Sequence, residues 1–307
     1  YAVFADAPVD VAVVEVGLGG SWDATNVLEA PVSVILPIDI DHRHFLGDTV
    51  TEIATEKAGI IKADGITVLA LQAHDEATEI VRDRVTEVGA RLVAEGVDYG
   101  VTARDVGVGG QQLSVRGLAG EYADLFLPLH GAHQAQNAAT AIAAVEAFVG
   151  GGEQALDVDV LRSGLASVES PGRLEIVRRS PTVIVDAAHN PHGAAALRAA
   201  LADSFMFTRT IGVVAILADK DATEMLEILE PAFDEIVVTR TTSTRAMRPQ
   251  ELGELAGEIF GEHRVHVVPD LPDALDLAGQ LADDGGVGGG IVATGSVTTA
   301  AEVRMLL

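Results

Sequence analysis

Residues 182–191 read TVIVDAAHNP. The β-branched run Thr182 to Val185 predicts a buried strand. Pro191 suits the first turn of a helix, with Asn190 as its N-cap. The junction therefore holds a carboxylate, Asp186, and an imidazole, His189, beside backbone N–H groups able to bind an anion. Capping accounts for Asn190 and Pro191 but leaves Asp186 and His189 without a reason. The same unit recurs downstream. Strands are predicted at Ile211–Ile216, Ile236–Thr239, Val265–Val268 and Ile291–Ala293, with helices starting near Pro191, Ala222, Pro249, Leu271 and Thr298. Such alternation marks an α/β, doubly wound parallel sheet, in which ligands sit at the carboxyl ends of the strands.

Upstream the pattern is similar but less regular. Val9–Val16 (VDVAVVEV) predicts a buried strand ending in the turn Gly17-Leu18-Gly19-Gly20, and Val32–Ile38 a second strand. Thr51–Lys62 and His74–Val88 predict helices on either side of a strand at Ile66–Leu71. From Arg91 to Leu129 glycine is frequent and alternation strong, which predicts short antiparallel strands. Gln134–Phe148 is an Ala-rich helix, broken by Gly150-Gly151-Gly152. Ser167–Arg173 (SVESPGR) reads as a linker, so the expected domains are 1–170 and 171–307. No internal repeat is present, and the only low-complexity tract is Gly285–Gly290.

Composition excludes several function classes. The 307 residues carry 20 Lys+Arg against 46 Asp+Glu, a formal charge of −26. A nucleic-acid binder or a partner of anionic membranes needs a basic face, so neither is expected. The charge reads as a solvated surface. There is no cysteine, which excludes disulfides, thiolate metal sites and cysteine nucleophiles. No apolar run approaches the roughly 18 residues of a membrane-spanning helix, and no signal peptide precedes the first strand. A cytoplasmic location is expected. Hydrophobic residues make up 48% and aromatics 4%, so the core is built from Val, Ile, Leu and Ala.

Several residues stand out chemically, each with a plainer alternative. Glu15 lies in an apolar run before a glycine turn, where a carboxylate is costly unless it is paired or metal-bound; it could equally cap a helix or pair with an arginine. His42, with His44 nearby, follows a strand and is either a metal-ligand candidate or an ordinary hydrogen-bonding histidine. Lys57 and Lys62 are two of only three lysines, the third being Lys220; a helical lysine is usually solvated, yet Lys57 could serve near phosphate and metal. Thr294-Gly295-Ser296 offers hydroxyls to a carboxylate or phosphate, or simply a turn with a Ser cap. No G-x-S-x-G or G-x-G-x-x-G occurs, which argues against a nucleophile-elbow hydrolase and a dehydrogenase.

Taken in order, eight stretches resemble folylpolyglutamate synthase and its bifunctional dihydrofolate synthase form, within the Mur ligase superfamily. They are Glu15–Asn26 (EVGLGGSWDATN), Ile40–Gly47 (IDHRHFLG), Glu56–Lys62 (EKAGIIK), His130–Asn137 (HGAHQAQN), Ser170–Glu175 (SPGRLE), Asp186–Pro191 (DAAHNP), Asp219–Asp221 (DKD) and Thr294–Arg304 (TGSVTTAAEVR). The resemblance implies a truncated Mur-ligase-like central ATPase domain followed by a C-terminal Rossmann-like glutamate-ligase domain. It implies ATP-dependent addition of L-glutamate to a folate, with dihydropteroate as a further acceptor, through an acyl-phosphate. Glu15 and His42 then match metal ligands for Mg²⁺ (or Mn²⁺). Lys57 matches a lysine that is carbamylated, and counts with Asp186 and His189 as catalytic. Asn137, Arg173 and Asp186 match nucleotide contacts. His189 and Ser296 match residues where glutamate and the acyl-phosphate are expected. Reactants would come from different domains, so closure about Ser167–Arg173 is expected, in a monomer.

Two departures qualify that expectation. Ser21 stands where the family has Arg, which removes an anion contact. No G-x-x-x-x-G-K-[ST] loop occurs in the 307 residues; the resemblance implies that the family's loop is expected upstream of Tyr1. Without its lysine and backbone cradle ATP binding should fail, so this chain alone is expected to be inactive. The alternatives are a catalytically inactive folate- and glutamate-binding module and another Mur-type amide ligase.

Overall fold

The computed structural model describes residues 6–7, 9–284 and 286–307. The first five residues of the expected N-terminal domain, and Gly285 of the glycine tract, lie outside the described residues. The chain divides into two compact units. One comprises residues up to 100 with 115–121 and 139–156; the other comprises 101–114, 122–138 and 157–307.

In the first unit, strands β1 (Val32–Ile35), β2 (Ile66–Leu69) and β3 (Arg91–Ala94) form a parallel sheet in that order. β3 is thus parallel to its neighbour, whereas the glycine-rich alternation from Arg91 predicted an antiparallel strand. Between the strands lie helical turn α1 (Arg43–Leu46) and helices α2 (Val50–Ala58) and α3 (Asp75–Val88). α2 starts at a capping box in which the Thr49 hydroxyl accepts from Glu52 N–H and the Glu52 carboxylate accepts from Thr49 N–H. Ile53, Ala54, Ala77, Val81 and Val85 bury one face of each helix against Ile35 and Leu69.

Residues 9–16 are not a strand. Val9, Val11 and Val13 are 51%, 55% and 98% exposed. Their β-branched alternation suits a pleated surface, but such propensity is realised only where a neighbouring strand supplies a ladder and a packing face. Among the described residues β1 pairs only with β2.

Strands β4 (Gly100–Gly107), β5 (Gly110–Arg116) and β6 (Glu121–Leu127) make a three-stranded sheet in sequence order, followed by helices α4 (Ala132–Gly150) and α5 (Val158–Ala166). Residues 167–174 are irregular.

The second unit is built on a six-stranded sheet ordered β11-β10-β9-β12-β8-β7. Its members are β7 (Glu175–Arg179), β8 (Thr182–Val185), β9 (Arg209–Val214), β10 (Glu235–Val238), β11 (Val265–Val267) and β12 (Gly289–Thr294). β8 to β12 are mutually parallel, and β7 is an antiparallel edge. Helices α6 (Pro191–Ser204), α7 (Ala222–Leu229) and α8 (Pro249–Phe260) cover one face, meeting Ile184, Val214 and Val292. Helices α9 (Leu271–Asp284) and α10 (Val297–Leu306) cover the other, meeting Val183, Ile211 and Ile291. Both faces are covered, which is why these strands read as continuous apolar runs. Each such side chain contributes about 1.5–3 kcal/mol by leaving water.

That winding places a crevice. The chain leaving β8 and β9 turns to one face, whereas the chain leaving β12 turns to the other. Where neighbouring strands diverge in this way, the space above their carboxyl ends is the ligand position of a doubly wound sheet.

Candidate active site

Asp186 begins the loop after β8, and its backbone N–H donates to the Ala293 carbonyl of β12 at 2.9 Å. Its carboxylate is buried, with Oδ1 accepting from Ala188 N–H at 2.9 Å and Oδ2 from Leu174 N–H at 3.0 Å. Burial pushes its pKa up, against the two N–H groups and the nearby charges of Arg173 and His189. Leu174 is held at φ 48°. A non-glycine residue there costs about 1–3 kcal/mol, and the Asp186 bond is what keeps Leu174 N–H turned inward. Arg173, next in the chain, is exposed. One strand end therefore collects a buried acid, an exposed guanidinium and the half-buried His189, whose Nδ1 lies 3.0 Å from the Ala187 carbonyl.

Two helices start at this crevice. Asn190 caps α6 by accepting from Gly193 N–H at 2.7 Å. Ser296 caps α10, its hydroxyl accepting from Thr299 N–H at 3.0 Å and lying 2.7 Å from the Thr299 hydroxyl. Ser296 is buried, so its oxygen is committed to the cap whether or not it also meets a ligand. On α4, Asn137 is exposed and donates to Gln134 Oε1 at 3.1 Å. His133, one turn earlier, has its pKa pushed down by burial and then by the positive charges of Arg173, His192 and Arg104. The structure thus brings Arg173, Asp186, His189 and His133 into one electrostatic neighbourhood, with Asn137 a helical turn from His133. His133 lies within the HGAHQAQN stretch, and its contact with this neighbourhood depends on the fold rather than on any pattern in that stretch.

In the first unit, Lys57 lies on the last turn of α2, half-buried. Burial pushes its pKa down, while the negative charges of Asp41 and Glu56 partly restore it. His42 sits at φ 52°, exposed, with Nε2 3.8 Å from Asp41 Oδ2. Asp41 thus links His42 to Lys57, a role its place in the chain did not announce. Glu15 is exposed. Among the described residues no three His, Asp or Glu side chains form a metal cage. Mg²⁺ does not require one: it keeps several waters and is usually held by one or two carboxylates together with substrate phosphates. Asp41 and His42, 3.8 Å apart, offer a carboxylate and an imidazole that could serve in that mode; Glu15 offers an exposed carboxylate that, among the described residues, no hydrogen bond or ion pair ties to either of them.

The turn after Glu15 is ordered around Asp23. Its Oδ1 accepts from the Thr25 hydroxyl at 2.6 Å and Thr25 N–H at 2.9 Å, and its Oδ2 from Leu18 N–H at 3.0 Å.

Comparison with known proteins agrees with this architecture. Residues 1–145 match the Mur ligase middle domain, and residues 172–297 the glutamate ligase domain of Mur ligases. A dihydrofolate synthase/folylpolyglutamate synthase of Mycobacterium tuberculosis is 49% identical over all of this chain and 66% of its own length. The folylpolyglutamate synthase of Lacticaseibacillus casei is 36% identical over all of this chain and 69% of its own length. Among solved structures, Mycobacterium tuberculosis folylpolyglutamate synthase complexed with ADP superposes with a TM-score of 0.94 at 49% identity, covering 99% of this chain and 69% of that one. Escherichia coli FolC in complex with DHPP and ADP gives a TM-score of 0.85 at 30% identity, covering 99% and 68%. The chain spans about two thirds of the length of these relatives.

Proposed function

The chain belongs to the folylpolyglutamate/dihydrofolate synthase family of Mur ligases, and from that premise we propose that it carries the nucleotide- and glutamate-handling surfaces of an ATP-dependent ligase that adds L-glutamate to a folate. The observation that carries the proposal is the strand-end cluster of the second unit: a buried Asp186 beside Arg173 and His189, at the carboxyl ends of a doubly wound sheet. Solved relatives complexed with ADP give the nucleotide class.

The chemistry runs in two steps. An oxygen of the folate carboxylate attacks the γ-phosphorus of ATP, and ADP leaves. The amine of glutamate then adds to the acyl carbon, loses a proton, and inorganic phosphate departs. Both steps gather negative charge on oxygens, which preorganised cations offset. Arg173 meets phosphate oxygens, with Asp186 holding the loop that presents it. Asn137 contacts the nucleotide. His189 and Ser296 orient glutamate at the N-termini of α6 and α10. Lys57, half-buried and with its amine pKa depressed, is suited to react with CO₂ and become a carbamate. Glu15 and His42 would hold Mg²⁺ (or Mn²⁺), which supplies positive charge on phosphate oxygens.

The test is ADP release by the full-length protein. Release beyond one equivalent per protein is expected only when ATP, a folate or dihydropteroate, and glutamate are all present. Sustained release without glutamate, or with a different amino acid only, overturns the proposal. Heat of folate or glutamate binding with no nucleotide-linked turnover would mark an inactive binding module instead. Arg173→Ala is expected to lower kcat/KM for ATP by about tenfold or more through the lost charge-assisted contact.

A further inference from the structure

We propose that Glu56 is a positioning residue for the ligase function proposed above: it clamps the Gly19–Trp22 turn onto the end of α2 that carries Lys57. Glu56 Oε1 accepts from Gly20 N–H at 3.2 Å and from Trp22 N–H at 3.3 Å. Its main-chain carbonyl accepts from Ser21 N–H at 2.9 Å and the Ser21 hydroxyl at 3.1 Å. One residue thus holds three consecutive residues of a turn 34 to 36 positions away in sequence.

The fit leaves no room for side chains on the turn. A Cβ at Gly20 would stand 2.6 Å from the Glu56 carbonyl oxygen and 3.0 Å from Lys57 Cα, and one at Gly19 would stand 2.9 Å from Glu56 Cγ. Two adjacent glycines are therefore what this approach demands, quite apart from any turn type. The far end of the turn is tied as well. Asn26 Nδ2 donates to the carbonyls of Ser21 at 2.8 Å and Gly59 at 3.2 Å, and Lys62 Nζ donates to the Asn26 carbonyl at 2.9 Å. Residues 19–26 and 56–62 are consequently cross-braced at both ends. The backbone leaving Glu15 and the backbone carrying Lys57 are held in register by side chains that need not touch substrate.

Both side-chain bonds use a single oxygen, so an amide oxygen can replace it, whereas a group acting through its charge cannot be replaced by a neutral amide. That separates positioning from ligation or charge. In the full-length protein, E56A is expected to lower kcat for folate- and glutamate-dependent ADP formation by about 10–100-fold and to raise the Mg²⁺ concentration needed. KM for glutamate, whose contacts belong to the other unit, should stay unchanged. E56Q should restore kcat and the Mg²⁺ dependence. E56Q as impaired as E56A, or E56A with wild-type kcat, overturns the assignment. Should E56A fail to fold, E56D carries the test, because its shorter carboxylate cannot reach both N–H groups and must show the same loss. Amide hydrogen exchange supplies a readout free of activity: Gly20 and Trp22 should stay protected in wild type and E56Q and exchange faster in E56A or E56D, and equal exchange in all of them overturns the clamp. Absence of ADP from the wild-type protein would count against the ligase proposal alone, leaving the exchange result to judge Glu56.

Discussion

Two aspartates show how opposite surroundings act on one side chain. Asp23 is only partly buried, and its pKa is lowered to about 2, first by the Thr25 hydroxyl and then by Thr25 and Leu18 N–H groups. Those bonds favour the charged form. A depressed folded-state pKa contributes stability that is present above the ordinary carboxylate range and lost as pH falls toward about 2. T25A removes the largest of these influences, so the Asp23 titration followed by carboxyl NMR should move up toward an ordinary aspartate. A midpoint unchanged in T25A would show that the hydroxyl is not its anchor. Asp186 goes the other way: burial raises its pKa despite two N–H donors, so its contribution to stability declines as pH rises through and above the ordinary carboxylate range. Asp186 was legible in the sequence because a carboxylate at the end of an apolar strand lacks a packing reason. Asp41, His133 and Glu56 were not. Their significance lies in contacts across the fold, and the Glu56 bonds span 34 to 36 residues, which no local pattern encodes.

At the scale of elements, the second unit followed its sequence closely. β8 spans Thr182–Val185 as predicted, and α6, α7, α8 and α9 start at Pro191, Ala222, Pro249 and Leu271. Apolar strand, polar turn and capped helix are all short-range signals, and here tertiary packing agrees with each. α5 and β7 carry no clear local signal, because each is half-exposed and carries charge. Val9–Val16 failed for the opposite reason: its local signal was strong, but a strand is a relation between two segments. Gly289 exposes the same dependence on neighbours. Without a side chain it lets β12 run close beneath α9, and a Cβ there would collide with the Ala282 carbonyl. G289A should therefore destabilise the second unit by about 1–3 kcal/mol, as overpacking does. Urea denaturation followed by circular dichroism checks this, and a midpoint equal to wild type would mean that the helix shifts without strain.

For the whole molecule the controlling quantity is charge. Forty-six acidic groups against twenty Lys and Arg leave 26 negative charges uncompensated. Ion pairs such as Arg104–Asp203 at 3.0 Å and Arg304–Glu175 at 2.9 Å neutralise local spots, but pairs of this exposed kind are worth only about 0–1 kcal/mol each. Long-range repulsion among the remaining carboxylates opposes the compact state. Salt screens it: the Debye length shortens from about 30 Å at 0.01 M to about 8 Å at 0.15 M. Tm should therefore rise over that range. Anion binding at Arg173 should respond in the opposite direction, because its guanidinium attracts phosphate and carboxylate through a field that the same salt screens. Thermal melts and the affinity for inorganic phosphate measured on one NaCl series would show both trends. A Tm that falls steadily with salt would mean that ion pairs, not net repulsion, dominate the stability of this acidic protein.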